Sequence, residues 1–186
     1  LSEATGYPVL CDLASQLGGG QPGHALLDGF FGSEAAVGRT CPDLILQLGS
    51  APVSSAFARL LSGSKDVERY VLAESGLHDP WRTARAHIRG SLFETLPSLV
   101  AELAVLGPLP AKEPRFDELI ASARSCLLKV QQELLAESPG TSSEAFAVRE
   151  LLRSLPEDGL LVLGNSLAIR IADLWGGKLP SGVAVL

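Results

Sequence analysis

The chain has 186 residues, 46% of them hydrophobic and 19% charged, with a net charge of −6 at pH 7. This is enough apolar material for one compact domain, or for one domain and a piece of a second, and dispersed acidity without a Lys/Arg cluster excludes a nucleic-acid surface. No apolar run reaches membrane-spanning length, no signal-peptide pattern opens the chain, and Cys11, Cys41 and Cys126, without a CxxC pair, read as reduced thiols of a cytoplasmic protein rather than a metal site.

In chain order, "YPVLCDL" (7–13) is an apolar run of strand type, and the glycine-rich "GGGQPGHALLDGFFGS" after it reads as loop. Residues 33–40 are expected to form a short helix. "DLILQLGS" (43–50) is a continuous aliphatic strand closed by Gly-Ser, the pattern of a parallel strand covered on both faces. "SAFARLLSG" (55–63) has helical spacing, "RYVLAES" (69–75) and "AHIRGS" (86–91) are further strands, and "SLFETLPSLVAELAVL" (91–106) is a helix containing Pro97. Strands alternating with helices point to a parallel α/β sheet.

"GPLPAKEPRF" (107–116) has the composition of a linker. Residues 115–138 then form an amphipathic helix, and 142–159 form another, with Ser142 or Ser143 as N-cap and Glu144 in the first turn. The strand 160–164, the helix 166–177 and the strand start 182–186 make a βαβ crossover. The expected organisation is therefore a domain over 1–106 with its first strand truncated, a linker and helix over 107–141, and the opening part of a second α/β domain over 142–186. The chain has no methionine, begins "LSEATGYPVLCD" and ends inside what reads as a strand, so a segment cut from a longer protein is expected.

Several candidate sites dissolve on inspection. Gly18, Gly20 and Gly23 match G-x-G-x-x-G, but Pro22 lies within the motif and no helix follows, so a surface loop explains them better than a dinucleotide site. His24, His78 and His87 lack ligand spacing, and "LHDPW" (77–81) reads as a turn. There is no G-x-S-x-G elbow. Gly49-Ser50 ends a parallel strand, where α/β sheets bind ligands, but stands alone.

"LVLGNSLAIR" (161–170) holds more. Asn165 and Ser166 fall at the carboxyl end of a strand and the N-terminus of a helix, where free backbone N–H groups favour anions. Arg170, four residues beyond Ser166, shares its helix face and offers a planar fork suited to a carboxylate. On pattern alone the same residues also read as an N-cap followed by a surface arginine.

The stretch from "SSEAFAVREL" to "GVAVL", with "LP..G.L.VGNS...R..D" and then "LP.G..V", resembles the family of 2-succinyl-5-enolpyruvyl-6-hydroxy-3-cyclohexene-1-carboxylate synthases, thiamine-diphosphate enzymes of menaquinone and phylloquinone synthesis. "ATGYPVLCDLASQL", "PDLILQLGSAPVS" and "HIRGSLFETLPSL" are similar to the family's central domain in order and spacing. The resemblance implies a Rossmann-like central domain, a parallel sheet flanked by helices, plus a C-terminal helical linker and a partial βαβ unit that opens the cofactor-diphosphate domain. It implies a transferase using thiamine diphosphate and Mg²⁺, which decarboxylates 2-oxoglutarate and adds the resulting carbanion to isochorismate, in a homo-oligomeric parent. It also implies that Asn165, Ser166 and Arg170 line the site, with the serine and arginine on substrate carboxylates. The family's usual basic residue at or next to Ser55 is missing from Ser54-Ser55-Ala56, so either Arg59, one helical turn on, substitutes for it or the acceptor pocket differs. No catalytic residue and no metal ligand is expected within the chain, and the isolated segment is expected to be inactive and to hold no cofactor. The alternatives are the central domain of another thiamine enzyme, of acetolactate synthase or 2-oxoacid decarboxylase type, or a non-catalytic Rossmann-like binding module.

Overall fold

The computed structural model of the chain describes residues 1–15, 31–32, 41–63, 66–107, 143–164, 166–177 and 179–186, together with helical positions 118, 121–122, 125–126 and 128–133. The expected helix at 33–40 and the glycine-rich loop with Gly18, Gly20, Gly23 and His24 lie outside these residues.

A one-turn helix α1 (Ser2–Thr5) opens the chain and is closed by Gly6 in the left-handed region at φ 67°. The first sheet is parallel, with β1 (Leu44–Leu48) beside β2 (Glu68–Ala73) and β2 beside β3 (Ala86–Arg89). Leu44 faces Glu68 and Leu48 faces Leu72, while Tyr70 faces Ala86 and Ala73 faces Arg89. β1 stops at Gly49, whose φ of 73° suits a residue without a Cβ, and the Gly49 amide still donates to the Leu72 carbonyl.

Helix α2 (Ser55–Gly63) follows because Ser54 Oγ accepts from the Ala56 amide at 3.1 Å, satisfying one of the donors a helix start leaves open. Its apolar stripe of Ala56, Phe57, Leu60 and Leu61 is buried with Phe31 in one core cluster, against which Leu10, Ile45, Ala51 and Trp81 pack. Strand β1 differs from expectation in being covered mainly on this one face, whereas β2 buries both Val71 and Leu72. Gln47 of β1 is buried, whereas Leu44 and Leu48 on the other face are exposed. Helix α3 (Leu92–Leu106) forms as expected around Pro97, yet none of its residues is buried, and Phe93, Val105 and Leu106 are largely exposed.

The second unit begins with α4 (Glu144–Arg153), where the Ser143 hydroxyl accepts from the Phe146 amide at 3.2 Å. Glu144 in its first turn and Arg153 in its last both complement the helix dipole. The helix ends six residues earlier than its sequence pattern reaches, because Leu155 precedes Pro156 and is biased away from helical backbone. Strands β4 (Leu160–Leu161) and β5 (Ala184–Val185) pair in parallel, and α5 (Leu167–Trp175) makes the crossover between them. The regular part of β4 is shorter than the run 160–164, although the ladder continues from the Leu163 amide to the Leu186 carbonyl. Both sheets are parallel, with α2 crossing from β1 to β2 and α5 from β4 to β5, while a helix-free loop over 74–85 joins β2 to β3. The whole is of the α/β, Rossmann-like class that the sequence calls for.

The segment 7–13 is not a strand. Pro8 has no amide to donate, Tyr7 and Val9 are exposed, and the chain closes into a 3₁₀ turn at Leu13–Ser15. Its apolar side chains divide between two cores. Leu10 packs on the α2 cluster, whereas Leu13 is buried with Leu152, Leu161, Ala172, Leu179 and Val185 in the core of the second unit.

Candidate functional site

The corner after β4 lies between Leu161, the last residue of the strand, and Leu167, the first of α5. Ser166 occupies the N-cap position of α5 with φ 98° and ψ −127°, a conformation a residue with a Cβ rarely adopts. Its side chain makes no capping hydrogen bond and is exposed. The hydroxyl is therefore not spent on the helix, contrary to the plain N-cap reading. Asn165 lies outside the described residues. Arg170 is exposed on the N-terminal half of α5, and among the described residues no carboxylate pairs with it.

Arg59 is also exposed, on α2. Its Nε donates to the Phe31 carbonyl at 3.2 Å, and its Nη2 lies 3.5 Å from Ser55 Oγ. The guanidinium thus folds back one turn along α2 and sits over Ser55, the position where the resemblance calls for a cation. Among the described residues no hydrogen bond or ion pair joins Arg59 to Ser166 or Arg170.

The polar groups that the structure does gather are elsewhere, and pattern reading missed them. Arg69 of β2 is 1% exposed, and its guanidinium is fully engaged. Nη1 meets Asp79 Oδ1 at 2.8 Å and Thr83 Oγ1 at 2.5 Å, Nε and Nη2 share Gln47 Oε1 at 3.2 and 2.9 Å, and Nη2 also reaches the His78 carbonyl. The charge lies 5.7 Å from the Phe57 ring centroid and 5.9 Å from that of Trp81. Burial by itself would raise Asp79, but the Ala84 amide, Arg69 and the Thr83 amide outweigh it and hold the carboxyl at about 2. With all five of its donors used, this arginine clamps the 74–85 loop and has none left for a ligand. An arginine inside the apolar run "RYVLA" was the signal for it.

His78 serves the same loop. Its ring lies 2.7 Å from the Ser75 carbonyl and 3.4 Å from Ser50 Oγ, and His87 is 3.8 Å from Asp79. A shallow open cleft at the carboxyl ends of β2 and β3 is lined by Val71, Ala73, Leu77, His87, Ile88 and Arg89, and includes none of the site residues expected from the sequence. Among the described residues no three His, Cys, Asp or Glu side chains come together as a metal site, no helix is long and apolar enough to cross a membrane, and Cys11, Cys41 and Cys126 form no disulfide.

No protein-family model matches the chain. Individual proteins do. It is 30% identical over 180 residues to the 2-succinyl-5-enolpyruvyl-6-hydroxy-3-cyclohexene-1-carboxylate synthase of Sorangium cellulosum, covering 94% of this chain and 29% of that protein. The synthase of the same name from Syntrophus aciditrophicus is 29% identical over 100% of this chain and 32% of its own length. That of Geobacillus thermodenitrificans is 27% identical, covering 93% of this chain and 29% of its own length. The chain thus spans under a third of the length of the curated relatives it matches.

Proposed function

We propose that this chain, related along almost its whole length to the 2-succinyl-5-enolpyruvyl-6-hydroxy-3-cyclohexene-1-carboxylate synthases, is the part of such an enzyme that grips the substrates' carboxylates. The observation that carries this reading is the α5 corner, with a Ser166 hydroxyl that makes no cap hydrogen bond and an exposed Arg170 just beyond the end of a parallel strand. Two short acids, 2-oxoglutarate and isochorismate, need directional positive groups, and a guanidinium supplies two parallel donors to a carboxylate. Asn165 belongs to the same corner by sequence. Arg59, folded over Ser55, contributes the cation that the β1–α2 loop otherwise lacks.

The reaction is a decarboxylation of 2-oxoglutarate followed by addition of the remaining four-carbon unit to isochorismate, a transferase step of menaquinone biosynthesis in the cytoplasm. Thiamine diphosphate with Mg²⁺, where bound, supplies the electron sink. The chain spans under a third of its relatives' length, and on this reading the cofactor is held largely by other parts of a longer protein, so that the 186-residue chain alone neither turns over nor retains it. The parent acts as a homo-oligomer, for which the exposed apolar residues of α3 provide a surface.

The experiment is to supply the longer gene product that carries this chain with thiamine diphosphate, Mg²⁺ and 2-oxoglutarate, with and without isochorismate. Joint loss of both acids with release of carbon dioxide supports the synthase. Use of pyruvate, or turnover without isochorismate, moves the protein to the acetolactate synthase or decarboxylase type. No turnover with any 2-oxoacid leaves a binding module.

A further inference from the structure

One short segment touches both units of the fold. Leu10 packs on the α2 core, and Asp12 Oδ2 accepts from the Val53 amide at 3.2 Å, two residues before α2 begins. Asp12 Oδ1 and its carbonyl hold the amide and hydroxyl of Ser15, closing the turn. One residue further on, Leu13 enters the second core, and its amide donates to Asp173 Oδ1 at 2.7 Å, in a contact that is buried on both sides. Asp173 lies on α5, three residues beyond Arg170. A continuous path therefore runs from the start of α2, through Asp12 and Leu13, to Asp173 and α5. Arg59 stands on the first of these helices and Arg170 on the second.

We propose that residues 10–15 are a strap, and that Asp12 and Asp173 are positioning residues that set the Arg170 guanidinium relative to that of Arg59. The inference rests on the acid-binding reading of those two arginines. Two cations on different α/β units hold one small diacid well only if their separation is fixed in advance, because ordering them at binding costs affinity. A buried backbone amide held by a carboxylate is a stiff connection, since opening it strands the Leu13 amide away from water. The part-buried Asp12–Val53 bond ties the other end, so a turn of either unit about the segment strains one of the two.

The test has two arms. In this chain, with Cys41→Ser and Cys126→Ser, spin labels on Ser62→Cys of α2 and Ala168→Cys of α5 report the distance between the helices, all four positions being exposed. Asp12→Ala and Asp173→Ala are expected to broaden that distance, whereas Asp173→Asn, whose amide oxygen still accepts from Leu13, keeps it sharp. Should Asp173→Ala not fold, Asp12→Ala cuts the strap without entering either core. In the longer gene product the same two alanine variants are expected to raise KM for 2-oxoglutarate about tenfold with kcat nearly unchanged, and Asp173→Asn to restore it. A distance as sharp in both alanine variants as in the parent overturns the strap. A broadened distance with unaltered KM overturns the positioning role, and Arg170→Ala then separates the two failures. If it raises KM, the acid-binding reading stands, and if it does not, that reading falls as well.

Discussion

Arg69 and Asp79 form an ion pair at 2.8 Å in which the arginine side chain is 0% and the aspartate 5% exposed. A pair so far from water returns its desolvation cost only through good geometry and further hydrogen bonds. Here Gln47, Thr83 and the His78 carbonyl provide them. Arg69→Met strands the Asp79 carboxylate, and a loss of about 3–5 kcal/mol is expected in urea unfolding at neutral pH. Arg69→Lys is expected to rescue little, because an ammonium cannot span Gln47 and Asp79 as a planar fork does.

The same pair sets an acid limit. Asp79 is held at about 2, against an ordinary 3.8, by the Ala84 amide, Arg69 and the Thr83 amide acting against its burial. A carboxyl depressed in the folded state contributes stability that is complete above its unfolded value and is lost as pH falls. Unfolding free energy is therefore expected to be flat in this contribution above about pH 5 and to fall between about pH 4 and pH 2. Asp79→Asn should flatten that fall, and a titration of stability by circular dichroism reads it.

Gly176, buried at the end of α5, leaves no room for a side chain. A Cβ there would run into Leu152 Cδ1, a fully buried core atom, and into the Ala172 carbonyl of the helix itself. Gly176→Ala is expected to destabilise by about 1–3 kcal/mol through overpacking, measured as a lower urea midpoint at unchanged slope. Gly164, whose Cβ position is open, is the control, with a much smaller change expected for Gly164→Ala.

The three thiols are expected to separate by rate. Burial pushes Cys11 above the ordinary thiol value, and Asp12 and Asp173 add to this, against a hydrogen bond with Ser15. Cys41 and Cys126 are exposed. Since the thiolate is the nucleophile, alkylation followed by mass spectrometry should show two modified cysteines in the folded chain and the third only on unfolding. Early labelling of Cys11 would mean that the strap opens readily.

Arg170 is exposed and carries no described ion pair, so Arg170→Ala should leave the melting temperature of this chain nearly unchanged. In the longer gene product the same change is expected to weaken acid-substrate binding by about 1.5–3 kcal/mol, the scale of a charge-assisted hydrogen bond. Unaltered kinetics would remove Arg170 from the site.

The elements that could be read from sequence are those whose cause is local. The aliphatic run Leu44–Leu48, the 3.6-residue spacing in α2 and the Ser143 cap of α4 each lie within a few residues of what produces them. The crossover from β4 to β5 belongs to the same class, because a helix between two strands of one small sheet calls for a parallel pair. Tertiary structure alone decided which core each apolar residue enters. Residues 7–13 have a strand's composition, but among the described residues they join neither sheet, and Leu13 finds its partner Asp173 across 160 residues. Arg69 is likewise an ordinary polar position in one dimension and the centre of a buried clamp in three. Periodicity records which face of an element is apolar. What comes to cover that face, and which buried polar group must then be paired, depends on chain segments that meet only when the fold closes.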